Sequence, residues 1–241
     1  MKCVVLCAGY ATRLYPITFN APKSLLDIKG RPLLNYIMDN VLGVSQVEEI
    51  FVVTNDKFYD AFLEWKDKFY PDENIAIVND GTKSNEDRLG ALGDLRVVLN
   101  TEEIEDDLLL LFGDKLYDFK LNDIVDFFET KKQNVIGLYD IEKFSDAKNY
   151  GVLKIDDSGK IVSFSEKSAK PHSTLISPGI YIYSKEELRK IHDYMQMSKP
   201  RESPDYLIPH FMKFQNVYGF ILGGKWQDIT SKEIYEKINH T

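Results

Sequence analysis

The sequence predicts an α/β protein with a mixed, mostly parallel sheet flanked by helices. Short apolar runs typical of buried strands, such as Cys3 to Ala8 and Asp107 to Phe112, alternate with stretches of helical spacing. This alternation implies parallel pairing through right-handed crossovers, which places helices on both faces of the sheet. The turn Asp156-Asp157-Ser158-Gly159 between two short apolar runs predicts a hairpin, which makes the sheet mixed.

Composition predicts one domain over residues 1–241. The chain has 241 residues, of which 44% are hydrophobic, enough for one sizeable core. A net charge of −8 without a Lys/Arg-rich tract argues against a nucleic-acid surface. The sequence shows no signal peptide and no apolar run long enough to span a bilayer, so we expect a cytoplasmic protein without a membrane partner. Cys3 and Cys7 lie four residues apart on one strand, roughly 13 Å, too far for a disulfide.

The elements follow one another as a βα series. Pro32 suits the first turn of a helix that ends near Leu42, and the aromatic stripe from Asp56 to Phe69 predicts a second helix with a buried face. Strands are predicted at Glu49–Thr54, Ile75–Val78, Asp107–Phe112, Val135–Ile141, Tyr150–Lys154, Lys160–Phe164, Leu175–Tyr183 and Val217–Leu222. Further helices are predicted at Ala91–Leu99, Leu121–Thr130, Lys185–Met195, Pro204–Phe214 and Ser231–Ile238.

The first strand ends in a loop, Leu6 to Thr18, that is suited to a polyphosphate. Small residues let the backbone approach a ligand closely, and the cations Arg13 and Lys23 flank a turn whose amides can face an anion. A dinucleotide-binding turn is a weak alternative, because Ala11 and Leu14 stand where Gly-x-Gly-x-x-Gly needs glycine. A P-loop kinase does not fit, because prolines interrupt the helix that should follow.

This loop resembles the signature of sugar-1-phosphate nucleotidyltransferases, Gly-x-Gly-Thr-Arg-Leu-x-Pro-x-Thr followed by Pro-Lys. Ala11 replaces the second glycine, and the matching residues are Gly9, Thr12, Arg13, Leu14, Pro16, Thr18, Pro22 and Lys23. The resemblance extends from Met1 to about Ile238. It implies a Rossmann-like, GT-A-like nucleotidyltransferase fold with a β-hairpin lid. Because the chain stops there, we expect no C-terminal left-handed β-helix and one active site.

The resemblance also implies which residues bind the nucleotide. Arg13 and Lys23 are the expected catalytic residues, with Arg13 on the β- and γ-phosphates and Lys23 toward the α-phosphate. Leu89-Gly90-Ala91-Leu92-Gly93 partly matches the family's Leu-Gly-Thr-Ala-Gly, which packs on the nucleobase. The implied nucleotide contacts are Leu6, Ala8, Gly9, Tyr10, Ala11, Thr12, Gly81, Gly90 and Asp114.

Two aspartates are the expected metal ligands. Asp114 follows the most apolar strand and matches the Asp of the family's Gly-Asp-Asn, and Asp228 matches that of Trp-x-Asp-Ile-Gly. A carboxylate at the carboxyl end of a central strand is typical of a cation site, and the resemblance implies Mg²⁺. Lys115 replaces the usual Asn, and we expect its side chain to point away from the metal.

The predicted hairpin supplies the expected acceptor site. Tyr150-Gly151-Val152 and Glu166-Lys167 match family motifs of the lid over the sugar, although Ser168 replaces the usual proline. The resemblance implies that Lys167 holds the acceptor phosphate and Glu166 a sugar hydroxyl. The implied sugar-phosphate contacts are Tyr150, Gly151, Glu166, Lys167 and Gly179.

The expected activity is therefore transfer of a nucleotidyl group from a nucleoside triphosphate to a sugar 1-phosphate, with release of pyrophosphate. The expected partners are these two small molecules, and a homo-oligomer is left open. A cytidylyltransferase acting on phosphocholine or an inositol phosphate is an alternative acceptor class. Two other classes stay open, a glycosyltransferase and a non-catalytic nucleotide-sugar binding protein, although the first should show Asp-x-Asp where this chain has Asp114-Lys115.

Overall fold

The computed structural model describes residues 1–197 and 203–240. Its strands are β1 Lys2–Leu6, β2 Asp27–Ile28, β3 Arg31–Pro32, β4 Glu49–Thr54, β5 Ile75–Asn79, β6 Leu108–Phe112, β7 Lys115–Tyr117, β8 Val135–Asp140, β9 Gly151–Ile155, β10 Ile161–Glu166, β11 Leu175–Ile176, β12 Ile180–Tyr183, β13 Tyr218–Ile221 and β14 Trp226–Asp228. Its helices are α1 Leu33–Leu42, α2 Tyr59–Phe69, α3 Ala91–Thr101, α4 Leu121–Lys131, α5 Phe144–Ala147, α6 Lys185–Met197, α7 Ile208–Phe211 and α8 Lys232–His240.

A mixed sheet of ten strands forms the centre of the molecule. Strand β1 pairs in parallel with β4 on one side and with β6 on the other, and β5 continues the parallel part beyond β4. On the other side of β6, β12 runs antiparallel to both β6 and β8, and β13 pairs in parallel with β8. The predicted fold class, a mixed and mostly parallel sheet flanked by helices, is confirmed.

Helices cover both faces of this sheet because side chains alternate along each buried strand. In β1, Cys3 and Val5 face one apolar cluster, which includes residues of α1, α2 and α4. Val4 and Leu6 face the other, which includes residues of α3, α6 and α7. Apolar residues on both faces explain why the central strands read as continuous hydrophobic runs.

Local geometry divides three elements that the sequence predicts as continuous. The strand predicted at Leu175–Tyr183 is interrupted at Pro178-Gly179, where Gly179 has a φ of +94° and a Cβ would lie 2.6 Å from the Phe112 ring. The helix predicted from Asp56 begins as a 3-10 turn, in which Asn55 Oδ1 accepts a hydrogen bond from the Phe58 amide. The helix predicted at Pro204–Phe214 consists of the 3-10 turn Pro204–Leu207 and the short α7.

The predicted hairpin is confirmed as β9 and β10, which pair antiparallel and join the sheet through β11. Its turn is held by Asp156 Oδ1, which accepts hydrogen bonds from the Ser158 and Lys160 amides at 2.9 and 3.0 Å. Among the residues that the structure describes, no helix is both long and apolar enough to cross a membrane.

Candidate active site

A cavity of about 560 Å³ opens where β1 and β6 end. Open α/β sheets hold ligands at this edge, beyond the carboxyl ends of the parallel strands. The lining residues come from five parts of the chain: the first loop, Lys23 with Ser24, the segment from Asp80 to Asp94, the end of β6 with the residues that follow it, and the end of β14 with the residues that follow it.

The first loop has a defined shape because hydrogen bonds hold its backbone. The Asn55 side chain, which is buried, donates to the Ala8 carbonyl at 2.8 Å, and the Thr18 hydroxyl donates to the Ala11 carbonyl at 2.8 Å. Ala11 has a φ of 48°, in the left-handed region. A residue with a Cβ is strained there by roughly 1 kcal/mol, which fits the glycine that the resembled signature has at this position.

The two loop cations occupy different positions. Lys23 begins the 3-10 turn Lys23–Leu25 and is buried. Its ammonium group points into the cavity and donates a hydrogen bond to Asp114. Arg13 lies in the 3-10 turn Thr12–Leu14 and is exposed, although it also lines the cavity. An anion in the cavity would therefore meet Lys23 at its base and Arg13 at its rim.

Asp114 is placed by a close approach of two chain segments. The Gly113 amide donates to the Leu6 carbonyl at 2.9 Å, and a Cβ on Gly113 would overlap Cys7 Sγ. Only glycine therefore lets the chain after β6 pass against the end of β1. The next residue, Asp114, projects its carboxylate into the cavity beside the first loop.

Asp228 reaches the same place through a separate two-stranded sheet. Strands β7 and β14 pair antiparallel, and their register places Asp228 opposite Lys115. Two aspartates that lie 114 positions apart in the sequence thereby line one cavity, as the sequence predicts for a shared site.

Asp114 and Asp228 alternate with two lysines in a cluster of four charges, the lysine–aspartate cluster. The Lys23 Nζ lies 2.7 Å from Asp114 Oδ2 and 3.2 Å from Asp228 Oδ1. The Lys115 Nζ lies 2.7 Å from Asp228 Oδ2 and 3.2 Å from Asp114 Oδ1. The prediction that Lys115 points away is therefore wrong. The antiparallel partner Asp228 attracts the ammonium group into the cavity, and no local sequence pattern shows that pairing.

The cluster changes the acidity of its members. Burial raises the pKa of the Asp114 carboxyl, but the ammonium groups of Lys115 and Lys23 outweigh burial and hold this pKa well below its usual range. Burial lowers the pKa of Lys115, but Asp114 and Asp228 outweigh this effect and raise it. Asp114 and Lys115 are therefore both charged near neutral pH.

Two further carboxyls, Asp80 and Asp94, line the cavity together with Tyr10 and Arg88. We call Tyr10, Asp80, Asp94 and the neighbouring Thr82 the acid end. Asp80 Oδ1 accepts hydrogen bonds from the Thr82 amide and hydroxyl at 2.7 and 2.8 Å, and the Tyr10 hydroxyl lies 3.1 Å from that of Thr82. The carboxyl of Asp94, in the first turn of α3, lies beside that of Asp80. Burial, then the neighbouring Asp80 charge, raises the pKa of Asp94 to about 8.

The sequence reasoning missed the acid end except for Tyr10. A carboxylate on the helix face that carries Leu92, Leu95 and Val98 is the signal that could have found Asp94, because an acid among buried apolar residues is unusual. Its proximity to Asp80 depends on how α3 packs beside the end of β5, which sequence periodicity does not show.

The structure brings together most, not all, of the predicted site residues. Those lining the cavity are Leu6, Ala8, Gly9, Tyr10, Ala11, Thr12, Arg13, Lys23, Gly90, Asp114 and Asp228. Residues that lie outside the cavity lining are Gly81, Tyr150, Gly151, Glu166, Lys167 and Gly179. Gly179 packs against Phe112, itself a lining residue, and this contact is sufficient to explain the glycine.

The hairpin residues form a second group beside β14. The Tyr150 ring contacts the Trp226 ring at a centroid distance of 5.7 Å, which connects the start of β9 to the strand that carries Asp228. Gly151 pairs with Glu166, and a Cβ on Gly151 would lie 3.0 Å from Glu166 Oε2. Glu166 Oε2 is buried and lacks a hydrogen-bond partner among the described residues. Lys167 is exposed and lies 3.7 Å from Glu166 Oε1.

Solved structures with the same fold are nucleotidyltransferases by their descriptions. A glucose-1-phosphate thymidylyltransferase structure from Bacillus anthracis, solved with sucrose, superimposes with a TM-score of 0.86 at 19% identity and covers 100% of this chain and 94% of that one. The apo structure of a UDP-glucose pyrophosphorylase superimposes with a TM-score of 0.82 at 17% identity, covering 99% and 96%. At these identities the likeness shows the fold.

Curated relatives are similar along nearly the whole of this chain. A Sulfolobus acidocaldarius protein named as a mannose-1-phosphate guanyltransferase is 30% identical over 239 residues, covering 99% of this chain and 62% of that protein. The bifunctional protein GlmU of Methanococcus aeolicus is 30% identical over 240 residues, covering 95% and 51%. The chain thus spans about half to three fifths of the length of these relatives. Residues 2–241 match the sequence model of the nucleotidyl transferase family, and the chain belongs to that family.

Proposed function

We propose that this protein joins a nucleoside triphosphate to a sugar 1-phosphate, giving a nucleotide sugar and pyrophosphate. The observation that carries the proposal is the meeting, in one cavity, of the first loop, Arg13, Lys23 and two carboxylates from distant parts of the chain. The relatives support it, because the names of several refer to guanylyl, uridylyl or thymidylyl transfer to a sugar phosphate.

The reaction brings two anions together, so the protein must reduce their repulsion and align them. The acceptor phosphate oxygen attacks the α-phosphorus, and the bond to the bridging oxygen of the leaving pyrophosphate breaks. Arg13, at the rim, is placed to bind the β- and γ-phosphates, where negative charge increases as pyrophosphate leaves. Lys23, at the base, is placed for the α-phosphate. Neither role requires a covalent intermediate or a histidine base.

The residues present fit a magnesium ion. Mg²⁺ in nucleotide sites is bound by one or two carboxylates together with substrate phosphates. Asp114 and Asp228 offer such a pair, since oxygens of both carboxylates lie within 3.2 Å of the single Lys23 Nζ and so converge on one point. Asp114 and Asp228 would hold the ion, which would supply positive charge to the phosphates. The ammonium groups of Lys23 and Lys115 both lie between these carboxylates, so both would have to move to admit the ion.

The hairpin is the proposed acceptor site. Glu166 Oε2, buried and without a partner among the described residues, is available to accept a hydrogen bond from a sugar hydroxyl. Lys167 is exposed next to it and can move to an acceptor phosphate. Tyr150 connects this group to β14 through Trp226, so the acceptor would lie on the Asp228 side of the cavity.

The test is a pyrophosphate-release screen that crosses the common nucleoside triphosphates with sugar 1-phosphates, phosphocholine and inositol phosphate in Mg²⁺. We expect release only when a triphosphate and a sugar 1-phosphate are both present. Release with phosphocholine instead would assign the acceptor to the other class. Nucleotide binding without release under any pairing would contradict an enzymatic role.

A further inference from the structure

Lys115 is the residue of the lysine–aspartate cluster that the proposed reaction does not use. Its side chain is only 14% exposed, and the pairing of β7 with β14 fixes its backbone opposite Asp228. Its Nζ lies 2.7 Å from Asp228 Oδ2 and 3.2 Å from Asp114 Oδ1. A largely buried charge has to be compensated by partners for the water that it loses. The two carboxylates are these partners for Lys115.

Together the two lysines occupy every oxygen of both carboxylates. Lys115 contacts Asp114 Oδ1 and Asp228 Oδ2. Lys23 contacts Asp114 Oδ2 and Asp228 Oδ1, and all four distances are 3.2 Å or less. In formal charges, two lysines and two aspartates sum to zero. The carboxylates therefore offer an incoming cation neither a bare oxygen nor a net negative charge.

A divalent cation that arrives alone would meet strong repulsion at this cluster. Mg²⁺ binds carboxylate oxygens at about 2.1 Å, so an ion on any of the four oxygens would lie within about 5 Å of an ammonium group. Positive charges at this separation repel strongly in a partly buried site. To admit the ion, Lys115 would have to leave both of its ion pairs.

A triphosphate changes this balance because it supplies new partners for the ammonium groups. Its negative charges would enter the cavity that Lys23 and Lys115 also line. Lysine suits such a move, since its four-carbon stem is flexible and its ammonium group donates in several directions. The backbone of Lys115 can stay paired with that of Asp228 while Nζ moves. The phosphates also provide oxygen ligands for the ion.

We propose that Lys115 makes the metal site depend on the nucleotide: its ammonium group neutralises Asp114 and Asp228 in the free protein, and a divalent cation enters only together with a triphosphate. Lys115 is thus a positioning residue that determines the order in which the ligands bind. The free protein does not capture the cation alone. This inference rests on the proposed function only in assuming that the cavity binds a nucleoside triphosphate.

Binding of Mn²⁺ alone tests the first half of the inference. Mn²⁺ prefers the same oxygen ligands as Mg²⁺, and water-proton relaxation detects its binding to the full chain. The wild type should show no saturable binding up to the millimolar range. Lys115→Gln and Lys115→Met both remove the charge and should lower the Kd at least tenfold, the equivalent of about 1.4 kcal/mol. The matched control is Lys154→Gln, which removes an exposed lysine outside the cavity lining and should behave like the wild type.

Two further measurements assign the gained binding to the cluster. Lys115→Gln combined with Asp228→Asn should lose it, because only one of the two carboxylates is left. Mn²⁺ should also raise the unfolding temperature of Lys115→Gln and not that of the wild type, since an ion that binds the folded state stabilises it. The same thermal transitions verify that the variants are folded.

Addition of a triphosphate tests the second half. Each common nucleoside triphosphate is titrated with Mn²⁺ into the wild type, without an acceptor. At least one should give a saturable relaxation signal that differs from that of the Mn²⁺–triphosphate complex alone. This signal reports a complex of protein, metal and nucleotide.

The outcomes separate this inference from the proposed function. Binding of Mn²⁺ alone as tight in the wild type as in Lys115→Gln, a gain that persists in the double variant, or no complex with any triphosphate would overturn the inference. The screen for pyrophosphate release could still be positive in each of these cases. Metal binding that requires a triphosphate, without pyrophosphate release under any pairing, would support the inference and contradict the proposed function.

Discussion

Replacement of Lys115 by methionine tests the lysine–aspartate cluster directly. Lys115 contacts Asp228 at 2.7 Å and Asp114 at 3.2 Å, and its side chain and that of Asp228 are only 14% and 13% exposed. Methionine keeps most of the apolar stem and removes the charge, so Lys23 alone would face two carboxylates. The expected result is a loss of stability.

The magnitude follows from the position of the cluster between surface and interior. At 3 Å, Coulomb's law gives about 1.4 kcal/mol for one pair in water and about 5.5 kcal/mol at an effective dielectric constant of 20. The substitution also removes the repulsion between Lys23 and Lys115 and the cost of burying the Lys115 charge. These two effects offset part of the lost attraction. Removing one partner costs about 3–5 kcal/mol in buried pairs and about 0–1 kcal/mol in exposed ones. Asp114 is 31% exposed, so we expect a loss of about 1–3 kcal/mol.

Urea unfolding at pH 7 measures this loss. The matched control is Lys154→Met, which replaces an exposed lysine on β9.

The pH dependence adds a second measurement. The folded-state pKa of Asp114 is lowered, so its ionised carboxylate stabilises the folded protein above the ordinary pKa of 3.8. This contribution to the free energy of unfolding is lost as the pH falls below that value. The folded-state pKa of Lys115 is raised, so its contribution to the free energy of unfolding is lost as the pH rises past 10.5. The difference between the wild type and Lys115→Met should therefore be greatest between these limits. A difference within 0.5 kcal/mol, roughly that of a neutral surface substitution, would refute the reasoning.

Three further substitutions test the reaction. Arg13→Ala should slow turnover roughly 100-fold while the acceptor KM barely changes, because Arg13 is placed to face the leaving pyrophosphate. A large rise in the acceptor KM at unchanged turnover, measured by steady-state kinetics, would count against this role. Asp228→Asn should lower turnover about tenfold for each 1.4 kcal/mol of lost charge stabilisation, and turnover that stayed near normal and resisted a chelator would remove Asp228 from the metal site. Lys167→Ala should raise the acceptor KM and leave triphosphate binding unchanged in calorimetry. Replacement of the exposed Lys170 by alanine is the control. Loss of triphosphate binding instead would show that the hairpin contacts the triphosphate.

Much of the fold could be predicted from the sequence because it depends on local patterns. The strand predicted at Glu49–Thr54 is found with the same bounds, and that at Asp107–Phe112 begins one residue later. Their apolar runs report burial on both faces of a sheet, and burial is what fixes a central strand. The first loop is also a local feature, since Gly9, Arg13 and Lys23 lie within 15 positions and line one cavity.

Only the tertiary structure decided how distant residues meet. The sequence predicts that Lys115 points away, but it points inward because β14 lies beside β7 and places Asp228 opposite it. The proximity of Asp94 to Asp80, at the end of another element, is likewise not visible in the sequence. Magnesium, the acceptor residues of the hairpin and a cytoplasmic location stay predictions. Periodicity records which face of a segment is buried, but the pairing of segments distant in sequence depends on the packing of the whole chain, and the charges of this site meet through that pairing.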